Sequence, residues 1–256
     1  MKEIETAFSK TTKLLFGREL AGINDYAPWL LRRLPKGTTC KSCASERTLY
    51  VPSHSIFARV PRERAAGLDS FAALSAKKIG ISENDSLGAI SHKLPGISYY
   101  ITELAEGRNI NVEESAVYTD LFSSYRIVDC FYSKYVAYNF LTDYNESTFG
   151  CSRNFTSKFS IHCYNSKGVN LAFEADACTN CSGIMFCHNC EHVFDSLFCF
   201  NVKNKRYAVL NVEVGREEYL RVKKMLTDYI LQNLEKKHSL PFDIFDFVCA
   251  TVPVKK

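Results

Sequence analysis

The stretch Asp176-Ala-Cys-Thr-Asn-Cys-Ser-Gly-Ile-Met-Phe-Cys-His-Asn-Cys-Glu-His-Val-Phe-Asp-Ser-Leu-Phe-Cys-Phe200 decides how this chain reads. Small polar residues, cysteines and rings alternate in it, and the usual helix formers are scarce. The same texture holds from Leu121 to Asn211, which carries eight of the eleven cysteines, ten asparagines and more than half of the aromatic residues. Such a composition favours short strands joined by turns. A loose repeat runs through it: a small polar residue, one more residue, then a bulky apolar one. Instances are Ser133-Lys-Tyr135, Ser147-Thr-Phe149, Ser157-Lys-Phe159, Ser182-Gly-Ile184 and Ser196-Leu-Phe198, with Val169-Asn-Leu171 and Lys205-Arg-Tyr207 as degenerate copies. The bulky positions fall 9 to 14 residues apart, too irregular for a helical repeat. The pattern predicts a parallel β-solenoid, with an antiparallel sheet as the alternative.

Outward from that stretch the reading changes. Before residue 120 the chain is predicted to be α-rich. Ile4, Phe8, Thr11, Leu14 and Leu15 keep one face at the helical period. Further helices are expected around Tyr26–Arg33, after Asp69, after Asp85, and over Ile97–Leu104 before Gly107. Residues Arg47–Arg59 read as extended. After the repeat, Tyr219, Val222, Met225, Leu226, Tyr229, Ile230 and Leu234 line one face of a strong helix that Pro241 stops. Such a helix is expected to cap the solenoid's open end and cover its edge. The expected fold is therefore α+β: an α-rich region over 1–120, then a β-repeat region over 121–256 with its C-terminal helix.

The whole-chain arithmetic agrees with a soluble globular protein. Of 256 residues, 46% are hydrophobic and 23% charged, which excludes disorder, collagen and coiled coil as whole-chain readings. The net charge of +4 permits an acidic partner without requiring one. The opening Met1-Lys2-Glu3-Ile4-Glu5 lacks the basic and apolar regions of a secretory signal. No run approaches 18 apolar residues, so no membrane association is expected. A cytoplasmic location, and with it reduced thiols, is the expectation.

Two CxxC knuckles stand in the deciding stretch: Cys178/Cys181 and Cys187/Cys190. Four thiolates from two tight turns are what tetrahedral zinc requires. The gap of five residues between the knuckles is short against the roughly 15–20 of ordinary zinc ribbons. Zinc ligation and packing as small buried side chains both stay open, with a redox dithiol behind them. Cys40/Cys43 is a lone knuckle that His54, His92 or Cys249 would have to complete. Basic residues gather near it at Arg32, Arg33, Lys36, Arg59, Arg62 and Arg64, which frames a nucleic-acid-binding alternative. His188-Asn-Cys-Glu-His192 matches by letter the H-x-x-E-H zinc-hydrolase pattern and frames a metal-dependent enzyme around Cys187–His192. That chemistry needs a helix, which the local composition opposes. Phosphate-loop, dinucleotide and nucleophile-elbow motifs are absent.

Asn180-Cys-Ser-Gly-Ile-Met-Phe-Cys-His-Asn-Cys190, then Asp195-Ser-Leu-Phe-Cys-Phe-Asn-Val-Lys-Asn-Lys-Arg-Tyr207, then Glu217-Glu-Tyr219 carry a resemblance. Over about residues 120–235 the chain resembles uncharacterised prokaryotic proteins that join zinc-ribbon-like CxxC segments to Cys/Asn-rich repeats, with Cys40/Cys43 as a weaker second match. It departs from them in lacking a second N-terminal CxxC. The resemblance implies an architecture and no activity. The reading that follows is a non-enzymatic binding or scaffold protein, a subunit of a macromolecular assembly with a protein or other macromolecule as partner. Its cysteines either hold zinc or pack as free thiols.

Overall fold

The computed structural model describes residues 1–53 and 55–248; His54 and Cys249–Lys256 lie outside the described residues. Helix α1 (Lys2–Phe16) buries Ile4, Phe8, Thr11, Leu15 and Phe16 on one face and ends at Gly17, whose φ of 86° only glycine adopts readily. The helix expected over Tyr26–Arg33 is a single turn, α2 (Ala27–Leu30). Strands β1 (Gly37–Lys41) and β2 (Thr48–Pro52) form an antiparallel hairpin. Two short helices follow, α3 (Phe71–Ser75) and α4 (Leu87–Lys93). Ser86, not Asp85, caps α4, accepting from the Ala89 amide at 3.2 Å. Asp85 instead bonds the Ser82 amide and Lys93.

The helix expected over Ile97–Leu104 does not form. Tyr100–Ile101 pairs in parallel with Ala65–Ala66, and Leu104–Glu106 opens the solenoid. The physical reason is local: Pro95-Gly96 ends α4, and the β-branched and aromatic run Ile97 to Thr102 prefers extended backbone.

From residue 104 to 209 the chain coils as a β-solenoid of about nine turns, beginning ahead of the change in composition near residue 120. The register is twelve residues: Lys134 pairs with Glu146, Glu146 with Lys158, Lys158 with Asn170, Asn170 with Ser182. Every third residue from Asp120 to Leu210 has φ near +50°, with Gly150, Gly168 and Gly183 at 65–69° in the same series. Each turn is thus a four-cornered rung with a left-handed residue at every corner. Non-glycine residues in that region cost on the order of 1–3 kcal/mol each and persist only where the surroundings impose them. Here the neighbouring rung does so. Corner amides donate to carbonyls thirteen residues back, as Tyr132 to Thr119 (2.9 Å) and Asn201 to His188 (2.9 Å).

One residue after each corner, a side chain points inward. That gives four interior columns per rung, too narrow for anything large: Cys, Ser, Ala, Val, Asn and Thr fill nearly all of them. The triplet repeat of the sequence mixed these registers. Tyr135, Phe159, Leu171 and Tyr207 share one corner column, while Phe149, Ile184 and Phe198 stand in three others.

One outer face is apolar from Tyr125 onward: Tyr125, Ala137, Phe149, Ile161, Phe173, Met185 and Leu197 stack twelve residues apart, with Glu113 before them in the same register. Helix α1 lies along it, with Phe8 edge-on to Phe149 (5.3 Å) and Phe16 to Phe173 (4.9 Å). Helix α5 (Arg216–Lys237) joins the same core after the last rung, its Tyr219 hydroxyl donating to the Gly183 carbonyl at 3.4 Å. So α5 packs against the side of the solenoid beside α1. Its buried face is Tyr219, Leu226, Thr227, Ile230, Leu231 and Leu234; Met225 and Tyr229 are exposed. The edge of the last rung is met by Val212–Glu213, which turns back antiparallel on Ala208–Val209.

Candidate functional site

The four cysteines of the Cys178/Cys181 and Cys187/Cys190 knuckles lie on interior columns, and their spacing is a product of the fold. Inward positions recur every three residues, so cysteines at adjacent corners spell C-x-x-C. Cys178 and Cys181 are such neighbours, as are Cys187 and Cys190, and the five residues between the knuckles hold two corners, Gly183 and Phe186, and one inward position, Ile184. Each thiol has a partner. Cys178 Sγ donates to the Asp176 carbonyl (3.3 Å) and, on the next rung, to that of Cys187 (3.3 Å). Cys190 repeats this with His188 (3.4 Å) and Cys199 (3.3 Å), and Cys181 with Thr179 (3.3 Å) and Cys190 (3.5 Å). Cys187 bonds Met185 (3.4 Å) and Ser196 (3.7 Å). Serines in the same columns do likewise: Ser166 donates to Tyr164 at 2.8 Å and accepts from the Cys178 amide at 3.4 Å.

Zinc held by four thiolates needs their sulfurs to converge on one point at about 2.3 Å. These sulfurs instead face carbonyls along the rungs, and among the described residues no group of three or more His, Cys, Asp or Glu is placed to hold a metal ion. The knuckles as folded fit packing. Burial pushes the Cys130 thiol up to about 12 and raises Cys187 as well, while hydrogen bonds from Cys178 lower Cys181 and Cys190, so the four knuckle thiols do not favour thiolates together. Cys40 is half-buried on β1 and Cys43 exposed at its end; burial raises the Cys40 thiol. His92, a suggested partner, lies in α4.

The basic residues around that knuckle divide. Arg33 clamps the buried Asp243 through Nε (2.6 Å) and Nη2 (2.9 Å), and Arg32 reaches Asp246 at 3.1 Å. Arg62 donates to the carbonyls of Phe57 (3.1 Å) and Val60 (3.0 Å). Arg64 donates to that of Pro95 at 2.7 Å. Lys36 and Arg59 remain exposed. Of the six, Arg32 and Arg33 are thus paired with carboxylates, while Arg62 and Arg64 keep their charge and spend donors on backbone carbonyls.

His188 and His192 lie on neighbouring sides of a rung and share no helical face. His188 Nδ1 is 2.8 Å from Asp176 Oδ2, one rung back, and His192 is 3.7 Å from Glu191.

Two arrangements escaped the sequence. The first is a buried dyad. His162, 1% exposed, sets Nδ1 2.7 Å from Oε1 of Glu174, which is 0% exposed. Glu174 Oε2 accepts the Ile244 amide at 3.0 Å, and the His162 ring sits against Trp29 at 4.5 Å. The Leu30 carbonyl comes so close that a Cβ on Gly150 would lie 2.8 Å from it. The dyad thus fastens the segment after α5 to the solenoid, and the other ring nitrogen, His162 Nε2, is buried without a hydrogen-bond partner. Burial, reinforced by Glu174, also keeps the neighbouring Tyr164 hydroxyl protonated. The available signal was a charge period of twelve: His162–Glu174, Asp176–His188, Glu114–Arg126 (2.8 Å) and Glu146–Lys158 (3.6 Å) are all one rung apart.

The second is an aromatic ladder on a face that neither the helices nor the hairpin covers. Tyr132 and Tyr144, 52% and 62% exposed, stack at 5.2 Å with planes 13° apart. On the next rung Thr156 follows the tyrosines in register, with exposed Phe155 beside it in the column of Asp143 and Lys167. Further along the axis the same face turns polar, as in the Asn189–Asn201 pair at 2.8 Å.

The chain matches no family model and no curated protein sequence. Among the described residues no helix is long and apolar enough to cross a membrane.

Proposed function

We propose that this is a non-enzymatic binding or scaffold protein that presents the uncovered solenoid face to a macromolecular partner. One observation carries the reading: the exposed, mutually stacked Tyr132–Tyr144 pair with Phe155 beyond it. Exposed aromatics are costly to leave in water and are enriched at interfaces. The rigid rung spacing fixes their separation, so a partner meets a pre-ordered surface at little entropic cost. In support, the buried histidine and thiols are engaged with carboxylate or carbonyl partners and lie closed from solvent.

The test is cross-linking mass spectrometry on the full chain in its native extract, with the Tyr132→Ser/Tyr144→Ser variant alongside. Cross-links to a partner concentrated on this face, and absent from the variant, are expected. Partner cross-links that map elsewhere and survive the double substitution would sink the reading. The nucleic-acid alternative keeps its own check. Retention on heparin that falls steeply with salt, and is lost on charge reversal at Lys36 and Arg59, would restore it.

A further inference from the structure

Buried carboxylates in this chain come with donors. Glu174 accepts from the Ile244 amide and meets His162, Asp176 meets His188, Asp243 is clamped by Arg33, and Glu103 accepts from Arg47 and from the Leu68 amide at 2.8 Å. Asp143 breaks that pattern. Its Oδ1 is buried, and among the described residues it is the one buried carboxylate oxygen without a hydrogen-bond partner. No cation among the described residues pairs with Asp143 either; exposed Arg153, two positions before Phe155, leaves it alone.

Asp143 stands on the uncovered face. It is in register with Phe131 on the rung before and with Phe155 on the rung after, each about 4.8 Å away along the axis. Tyr144, next in sequence, turns the corner and stacks on Tyr132. Phenylalanine rings offer a carboxylate no N–H or O–H, and their faces carry partial negative charge. Burial raises the Asp143 carboxyl accordingly. A desolvated, unpaired carboxyl costs the fold free energy, so its presence calls for a compensating group from outside the chain. The residue as a whole is only half-buried, so such a group approaches through the other carboxyl oxygen.

The surroundings select among cations. A hard divalent ion takes six or more oxygen ligands, and among the described residues no group of three or more His, Cys, Asp or Glu is placed to hold one. A quaternary ammonium suits the rings but has no N–H for the carboxyl. A lysine ammonium is compact and strongly hydrated, whereas a guanidinium is planar, weakly hydrated, donates to carboxylates and stacks on aromatic rings. Tyr144 and Phe155, both exposed beside Asp143, supply the rings.

We infer that Asp143 is the charged centre of this face and receives an arginine side chain of the macromolecular partner. The inference rests on the scaffold reading for the existence of that partner and names the chemistry the partner must present.

The experiment is NMR titration of the full chain with three probes at constant ionic strength: N-acetyl-arginine amide, N-acetyl-lysine amide and tetramethylammonium chloride. Saturable shifts at Tyr144 and Phe155 are expected with the arginine probe, about fivefold tighter than with either other cation. Asp143→Asn keeps the shape, removes the charge and should weaken arginine binding about tenfold. It should not lower the melting midpoint, because the carboxylate has no partner in the fold to lose. An equal response to all three cations, no saturation by the arginine probe at about 0.1 M, or an affinity unchanged in Asp143→Asn overturns the inference. In Arg153→Gln the affinity should stay within about twofold. A rise of about tenfold there would show that the chain's own arginine holds Asp143, and would overturn it equally. The two readings fail separately. Partner cross-links that are lost in Tyr132→Ser/Tyr144→Ser but survive in Asp143→Asn remove the arginine and leave the scaffold standing; partner cross-links that map elsewhere remove both.

Discussion

From Ser124 to Ser160 the solenoid interior is mostly hydroxyl and amide: Ser133, Asn139, Thr142, Asn145, Thr148 and Asn154. From Cys163 to Ala208 the same positions hold thiols and methyl groups: Val169, Ala172, Ala175, Cys178, Cys181, Ile184 and Cys187 among them. The backbone is the same in both halves, and so is its demand for a small side chain that does not leave the corner carbonyls unmet. The first half meets the demand mainly with hydroxyl and amide hydrogen bonds, although Ser124 Oγ and Asn154 Nδ2 stay buried without a partner. Asn145 donates to Asp143 (2.7 Å) and Asn154 (2.8 Å) and accepts from the Ser157 amide (3.2 Å). The second half meets it mainly by removing sulfur and methyl groups from water, with the weak S–H bond as a supplement. The outer surface changes with the interior. Exposed Tyr132, Tyr144 and Phe155 mark the first half, while Asn180, Asn189 and Asn201 mark the second. The contrast teaches that in these columns cysteine takes the place that serine and asparagine hold elsewhere.

The comparison can be broken at four points. Asn145→Ala should be the most damaging, at about 3 kcal/mol, because it strands buried carbonyls and an amide; urea denaturation measures it. Cys178→Ser should cost about 1–2 kcal/mol, the loss of apolar burial with the donor retained. A collapse of the fold would instead mark a lost metal ligand. Cys181→Ala removes only weak S–H bonds and should cost about 1 kcal/mol. If it cost as much as Asn145→Ala, the two halves would not differ as described.

The smallest effect concerns acid. Burial alone would raise the Asp243 carboxyl, but its hydrogen bonds and ion pair with Arg33 hold it below the ordinary carboxylate range. A carboxyl depressed in the folded state stabilises above its unfolded pKa, near 3.9. That contribution fades as pH falls through the folded value. The Asp243 segment covers second-half rungs, through Phe245 on Tyr164 and Phe242 on Phe186. Below about pH 4 amide exchange should therefore quicken around Phe242–Phe245 before it does at the first-half rungs, for a loss under about 1 kcal/mol. Simultaneous loss of protection in both halves would contradict this.

The solenoid was legible in the cysteine and asparagine content and in a spacing that scattered about twelve. The three-residue period was not, because the patterns that announce structure have periods of 2 and 3.6. A backbone with left-handed residues at every third position has no such signature when Tyr, His, Arg and Phe occupy the corners as freely as Gly. For the same reason C-x-x-C read as a ligand knuckle, although Cys178 and Cys181 are simply adjacent inward positions. Periodicity located α1 and α5, where ordinary rules hold; of the hairpin only the second strand, Thr48–Pro52, lay within the segment read as extended, and Gly37–Lys41 was not read as a strand. The His162–Glu174 dyad stayed hidden because its members approach only through the twelve-residue register, and the Ile244 amide joins them from seventy residues away.

Thiol titration of the native, anaerobically purified Cys249→Ser variant, paired with zinc analysis, tests the interior most directly. Cys43 and, more slowly, Cys40 should react with a disulfide reagent in the native state. The eight buried cysteines from Cys130 to Cys199 should react only on unfolding, with no stoichiometric zinc released. Rapid native modification of Cys178, Cys181, Cys187 or Cys190, or one zinc ion per chain whose removal melts the rungs, would contradict the packed-thiol interior.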